Sequence, residues 1–486
     1  MTSVDAAALA EARVRFSSRL TPPPTPVISV VIHLIVLALW VALFLLVFGR
    51  GGILAWSVGL AYLGYDAALL VFTGWHIRRL TVPSSPAPPG PRPRIAVLIA
   101  ARDESAVLPA TIRALAAQSD PPDEIVIADD GSTDATAHVL CTEFGFTTDE
   151  FGVPGPPTRI GATDVTWLRL AHGGKARALN SAILQTDADL VLTVDADTQL
   201  DEKAVGVVRD AFAREPELVG VTGIITPRSR PTPIGRALQF FQTYEYIRNF
   251  LGRYAWMRMG CLQLISGAFA GFRRRSVVAV GGFDDVCLVE DYELVHRLYR
   301  YAGEHDLDWR FRVLGAAQAQ TEAPGTIPAL LRQRRRWFGG FLQTQWWYRA
   351  MVGNSEMGRL GTLMLPIKAV DAVQPLYGLT AFAMLLFFIF TGNSDVLGPI
   401  AIVLAGTLLV VVLFQVWSVV QYRRWVGDQH RVSLVGACVA GMLEPFTFRL
   451  VLQIGALLGW IAFLGGRQRW DSIDRFGLGD TRAGRT

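Results

Sequence analysis

Long apolar runs stand at both ends of this chain, so it must fold with helices in lipid on either side of a charged middle. Residues 27–48 contain no Asp, Glu, Lys or Arg, and a second apolar run, 53–75, follows at once. A run of about 20 apolar residues crosses the hydrocarbon core as a helix, because no other single segment satisfies its own backbone hydrogen bonds there. Residues 373–391 and 396–420 read the same way near the other end. The stretch 432–465 is long for one helix and is interrupted by Glu444-Pro445 and Arg449, so it is expected to form a hairpin, or a re-entrant piece plus a span. The first run is too long for the apolar part of a signal peptide.

The charged fraction, 18%, lies below the soluble average of about 25%. Basic residues flank the apolar runs: Arg13, Arg15 and Arg19 before the first, Arg78 and Arg79 after the second, and Arg423, Arg424 and Arg431 later. Arg467, Arg469 and Arg475 follow the last run. This bias puts the N-terminal segment (1–26), the middle of the chain and the tail (467–486) on the cytoplasmic side. A net charge of +4 is too mild to argue for a nucleic-acid partner. The four cysteines show no CxxC pair and read as reduced packing residues, and the scattered histidines argue against a zinc site.

After the two spans (27–79) comes a proline-rich linker (80–93), then a globular domain (94–325). Short apolar runs at 94–101, 124–128, 165–170 and 190–194 alternate with helical patterns. That alternation predicts right-handed crossovers and an α/β domain with a mainly parallel sheet. Ligands bind such sheets beyond the carboxyl ends of the strands. Residues 234–259 predict a long aromatic helix, and 326–355 an amphipathic helix at the membrane interface before the C-terminal membrane region (356–466). For the first of these helices, packing in a soluble core and a place in the headgroup layer remain equally open.

The chemistry-bearing residues fall at those strand ends. Asp195-Ala196-Asp197 follows an apolar run. Two carboxylates so spaced can hold a divalent cation against a diphosphate, although such a pair is also a common solvated turn. Asp129-Asp130-Gly131-Ser132 can face a base and a ribose, or simply cap a helix. Lys175, behind Gly173-Gly174, can meet a phosphate at a helix start or be an ordinary helix beginning. Glu290-Asp291 opens a helix, where an acid can serve as general base or merely complement the helix dipole. Gln333-Arg334-Arg335-Arg336-Trp337 offers a diphosphate clamp and a stacking indole, or a basic membrane-surface helix.

Taken in order, Asp-Asp-Gly, Asp-x-Asp, Glu-Asp and Gln-Arg-x-Arg-Trp resemble the processive membrane synthases of glycosyltransferase family two. The family includes cellulose, chitin and hyaluronan synthases, and the nearest likeness is to poly-N-acetylglucosamine synthases and nodulation chitooligosaccharide synthases. Ser266-Gly267-Ala268-Phe269, Thr321-Glu322-Ala323-Pro324, and Trp470 with Arg475 fit as well. The resemblance implies a glycosyltransferase A type domain in a bacterial-type inner membrane. It implies a UDP-sugar donor, Mg2+ or Mn2+, a glycan acceptor and contact with membrane lipid.

By position, it implies that Asp129 and Asp130 face uridine with Lys175 near the nucleotide, and that Asp195 and Asp197 hold the diphosphate and metal. Asp291 would be the catalytic base beside Glu290. Gln333 and Arg336 would grip the donor, and Trp337, Ser266 and Gly267 would meet the acceptor. Two departures stand out: Val289 replaces the usual Thr before Glu290-Asp291, and Arg177 sits where a small residue is more common. No regulatory domain is expected after the last spans. The expected activity is inverting transfer of N-acetylglucosamine or glucose onto a growing β-linked polysaccharide with coupled translocation. Single-sugar transfer to a lipid-linked acceptor is one alternative, and a non-catalytic transport or sensor protein is another.

Overall fold

The computed structural model describes residues 6–49, 51–80, 90–147, 150–427 and 432–466. Arg50, most of the proline-rich linker, Arg431 and the tail with Trp470 and Arg475 lie outside these residues.

A short helix, α1 (Ala6–Phe16), precedes two long apolar helices, α2 (Val27–Gly49) and α3 (Ser57–Ile77). The globular domain then runs β1 (Ile95–Ala101), α4 (Leu108–Ala116), β2 (Glu124–Asp129), α5 (Thr136–Phe144), β3 (Thr158–Ile160), β4 (Thr163–Arg169) and α6 (Lys175–Ile183). It continues with β5 (Leu190–Val194), β6 (Thr198–Leu200), α7 (Ala204–Arg214), β7 (Leu218–Arg228), α8 (Pro233–Arg258), β8 (Phe269–Arg273) and α9 (Arg274–Ala279). Next come α10 (Glu290–Glu304), β9 (Arg310–Glu322) and α11 (Ile327–Trp347). The membrane part closes with α12 (Leu365–Thr391), α13 (Ser394–Val426), α14 (Leu434–Leu443) and α15 (Phe448–Leu464).

The strands form one nine-stranded mixed sheet, ordered β3-β4-β2-β1-β5-β8-β7-β9-β6. From β4 to β5 all neighbours are parallel. The central strands β1 and β5 are near-continuous apolar runs because helices cover both faces; Ile95, Val97, Leu98, Ile99, Ile125 and Ile127 have no exposed surface. The parallel ends of β1, β2, β4 and β5 open on the same edge, which is where Asp103, Asp130, His172 and Asp195 stand. Beyond β5 the sheet turns antiparallel at β8, and β9 returns parallel to β7.

Among the described residues, four helices are long and apolar enough to cross a membrane, or five if the pair α14–α15 counts as one. That pair bends by 47° at Thr447, just after the short turn Glu444–Phe446. Large apolar side chains such as Ile35, Ile402 and Leu413 face outward and are mostly exposed, which fits a lipid environment.

Three features of the fold were not read from the sequence. First, the N-terminal segment is not a free polar tail. Helix α1 docks on the globular domain through buried Leu9 and Phe16, and Arg19 Nε donates to the fully buried Asp284 at 3.0 Å. Gly281 (φ +88°) admits this segment, because a Cβ there would lie 2.1 Å from the backbone nitrogen of Arg13. Second, α8 is a packing helix, with Tyr244, Ile247, Leu251 and Tyr254 buried. Third, α11 turns its cations inward: Arg334 donates to both oxygens of Glu245 on α8 at 2.7 Å. Its other neighbour is α15, which approaches so closely at Gly459 that a Cβ would lie 2.9 Å from the Gly339 nitrogen.

Candidate active site

A cavity of about 860 Å3 opens at the carboxyl edge of the parallel strands, between the sheet and helices α8 and α11. Its size lies within the range of pockets that enclose a small ligand. The lining includes Asp130, Lys175, Asp195, Asp197, Ser266, Gly267, Glu290, Asp291, Gln333, Arg336 and Trp337. Residues more than two hundred positions apart in the sequence thus meet in one space. Asp129 does not line it.

The two acids at the end of β2 have different surroundings. Asp129 is buried, and its Oδ1 accepts from the Ser132 amide at 2.8 Å, which closes the tight turn. Asp129 is thus not among the residues brought to the cavity: it is buried at the end of β2, and the Ser132 amide occupies one of its two oxygens. Asp130 faces the cavity, where its oxygens accept from the amides of Gly173 and Gly174 at 2.7 and 2.9 Å and from His172 Nδ1 at 2.8 Å. Arg102 lies 2.6 Å from the other ring nitrogen of His172, so with Nδ1–H given to Asp130 the Nε2 atom accepts. Asp103 holds a left-handed backbone (φ +54°), stabilised by hydrogen bonds from the Thr133 and Asp134 amides to its carboxylate. Strained residues of this kind gather at ligand sites.

Lys175 at the start of α6 bridges two acidic motifs. Its Nζ donates to Asp195 at 2.6 Å and lies 3.2 Å from Glu290. These two carboxylates hold its ammonium protonated well above the usual lysine range against the cost of burial. Asp197 is buried and accepts from the Thr321 hydroxyl at 3.2 Å. Thr321 sits on β9, so the fold braces the loop from the opposite half of the sheet.

Asp291 sits in the first turn of α10, where the helix dipole and the main-chain amides favour a carboxylate. Its Oδ2 accepts from the Gly267 amide at 2.6 Å and its Oδ1 from the Tyr292 amide at 2.8 Å. Burial and the neighbouring Glu290 carboxylate nevertheless push it up to about 6, with Lys175 opposing. A carboxyl so poised can take a proton near neutral pH. One turn on, Glu293 and Arg297 form a fully buried pair at 2.5 Å, joined by the Tyr348 hydroxyl at 2.6 Å, and this fixes α10 in place.

Helical spacing sorts the basic motif on α11. Gln333, Arg336 and Trp337 (i, i+3, i+4) face the cavity, while Arg334 turns to Glu245. Arg336 Nη1 donates to the Leu288 carbonyl at 3.4 Å, which ties α11 to the loop before Asp291. Arg334 covers one face of the Trp337 indole at 4.6 Å from the ring centroid.

Several cavity-lining residues had no motif to mark them: Arg102, Asp103 and Glu104 after β1, and Tyr246, Asn249, Phe250 and Arg253 on α8. The α8 set falls at i, i+3, i+4 and i+7, a helical stripe visible in the sequence but read there as packing or membrane surface.

As for a metal, no group of three or more His, Cys, Asp or Glu side chains converges among the described residues. The donors available are the paired carboxylates of Asp195 and Asp197. A hard divalent cation held by two carboxylates, with phosphate oxygens and water completing its shell, fits that donor set.

Two family models match the chain: glycosyl transferase family 2 over residues 96–281, and glycosyl transferase family group 2 over residues 190–414. A poly-beta-1,6-N-acetyl-D-glucosamine synthase of Staphylococcus epidermidis is 28% identical over 249 residues, 51% of this chain and 54% of that protein. The Staphylococcus aureus protein of the same description is 29% identical over the same shares. The chain therefore spans about half the length of the curated relatives it matches. Among solved structures, a mannosyltransferase from Pyrobaculum calidifontis in complex with GDP-Man and Mn2+ superposes with a TM-score of 0.52 at 18% identity. That match covers 81% of this chain and 99% of the mannosyltransferase, and at that identity it speaks for the fold, a glycosyltransferase A type domain.

Proposed function

We propose that this chain, which glycosyl transferase family 2 models match over residues 96–281 and 190–414, is a membrane-embedded, inverting glycosyltransferase that extends a β-linked glycan from a UDP-sugar. N-acetylglucosamine is the favoured sugar and glucose the next, in line with what the staphylococcal relatives make. The observation that carries this reading is the convergence of Lys175, Asp195, Asp197, Asp291, Arg336 and Trp337 on one cavity.

In this mechanism Asp291 removes the proton from an acceptor hydroxyl. The oxygen attacks the anomeric carbon from the face opposite the nucleotide, a carbon–oxygen bond forms, and the bond to UDP breaks with inversion. Arg336 and Gln333 hold the departing diphosphate, and bidentate contact from the guanidinium suits that task. Asp195 and Asp197 would hold Mg2+ or Mn2+, which when bound supplies positive charge to the diphosphate. Asp130, with His172 and Arg102, binds the nucleoside, and Trp337 stacks on the acceptor sugar through the indole face that Arg334 leaves open. The catalytic domain faces the cytoplasm, where UDP-sugars are made, and the spanning helices carry the product outward.

The test is a panel of radiolabelled UDP-sugars given to membranes that contain the full chain, with Mg2+, Mn2+ or EDTA. UDP release coupled to a polymer or ladder that β-glycosidases digest is the expected result. A single labelled adduct would replace polymerisation with one-sugar transfer. No UDP release from any donor would overturn the enzymatic reading.

A further inference from the structure

Arg253 on α8 is the strongest unassigned feature of the cavity. Its Nε and Nη1 are closed off from solvent with no hydrogen-bond partner. Its guanidinium sits over the Phe250 ring at 4.6 Å, which fixes the plane of the fork. Both residues line the cavity. A half-buried cation with two unpaired, desolvated nitrogens is costly, so a position like this persists where a ligand supplies the missing acceptors. Burial draws its pKa down to about 10, and the opposite charge acting most on it is Asp291. It therefore remains a cation at neutral pH.

Position along α8 decides which part of the substrate it meets. Tyr246, two turns earlier, feels the charges of Arg334, Glu245 and Asp197 as well as Arg253. Arg253 closes the stripe of α8 residues that lines the cavity, and Asp291 lines the same cavity. An anion placed between Arg253 and Asp291 would be repelled by the Asp291 carboxylate, whereas a neutral sugar hydroxyl accepts from a guanidinium without adding charge.

We propose that Arg253 is an acceptor-binding residue, donating from its guanidinium to oxygens of the neutral terminal sugar of the glycan and holding its hydroxyl toward Asp291. This rests on the transferase reading above. The test measures initial rates in the full chain against concentration of a β-linked N-acetylglucosamine pentamer, with the UDP-sugar that the wild type uses. It compares wild type, Arg253→Gln and Arg253→Lys, and measures UDP affinity separately by calorimetry.

The expected result is a rise in acceptor KM of about tenfold to a hundredfold in Arg253→Gln, the loss of charge-assisted hydrogen bonds. Partial recovery is expected in Arg253→Lys, which keeps the charge but not the fork. UDP affinity, retained in both variants, doubles as the check that they fold. Unchanged acceptor KM with weakened UDP binding would make Arg253 a diphosphate contact and overturn the proposal. Unchanged KM with only a shifted pH profile would make it a counter-ion to Asp291 and overturn it too. Transfer by no UDP-sugar in the wild type would remove the reading beneath it, and the proposal with it.

Discussion

Among the apolar helices, Arg449 of α15 pairs with Asp66 of α3 and reaches the Tyr62 hydroxyl at 3.3 Å. Lys368 pairs with Asp371 one turn along α12 at 2.6 Å. Glu444, at the bend between α14 and α15, receives Arg248 from α8 at 2.5 Å. In the catalytic cavity the pairing is incomplete: Lys175 meets Asp195 and Glu290, but Glu290 and Asp291 stand side by side, Arg253 has two unpaired nitrogens and Gln333 an unpaired oxygen. In hydrocarbon nothing else can satisfy an ionised side chain, so its partner must come from the protein. In a binding site the partner is the ligand. Charges that are closed on one another hold the helices together, and charges left open mark where chemistry takes place.

The largest expected effect tests the open set. Asp291→Asn removes the proposed base without changing its size and should lower turnover by about 10²–10⁴-fold, while UDP binding measured by calorimetry persists. Near-wild-type turnover would show that the acid is a helix-start residue and nothing more.

The closed set should respond in stability instead. Arg248→Met leaves Glu444 as a buried, less compensated charge and is expected to cost about 3–5 kcal/mol, read as a fall in thermal midpoint in detergent. Arg248→Met with Glu444→Leu should recover much of that loss. If the double variant is no better than the single one, the pair does more than neutralise charge.

A third variant probes the seam between the two regions. In Gly459→Val the new side chain meets the backbone of α11 at Gly339 and Arg335, an overpacking expected to cost about 1–3 kcal/mol. Because α11 also carries Gln333, Arg336 and Trp337, donor KM should rise along with the loss of stability. A change in stability with donor KM untouched would separate the membrane region from the cavity.

The smallest effect concerns pH. The active form of Asp291 is the carboxylate, and its pKa is raised to about 6. Activity should therefore be full above that pH and fall about tenfold per unit below it, as expected for a single titrating base. Glu290→Gln removes the like charge that raises it and frees Lys175, so the midpoint in kcat/KM should move to lower pH. A midpoint that stays in place would assign the titration to another group.

How far the sequence foretold this varies with the kind of residue. Strands β1, β2 and β5 lie close to their apolar runs, and the acids after β2 and β5 mark the ligand edge of the sheet, because the end of a strand is a local property. That Asp129 does not line the cavity was not legible, since it is buried at the end of β2 with one oxygen held by the Ser132 amide. Nor was Arg253, because a cation on an aromatic helix looks the same whether it meets lipid, solvent or a substrate.

By itself the sequence determined the apolar helices, the strand–helix alternation and the order of the acidic and basic motifs. These depend on hydrophobicity and spacing within a few tens of residues. Only the tertiary structure decided that Lys175 stands between Asp195 and Glu290, that Arg334 leaves the motif to meet Glu245, and that α1 docks beside Gly281. Those partners are set by the packing of elements far apart along the chain, and no local pattern of side chains encodes which of them will meet.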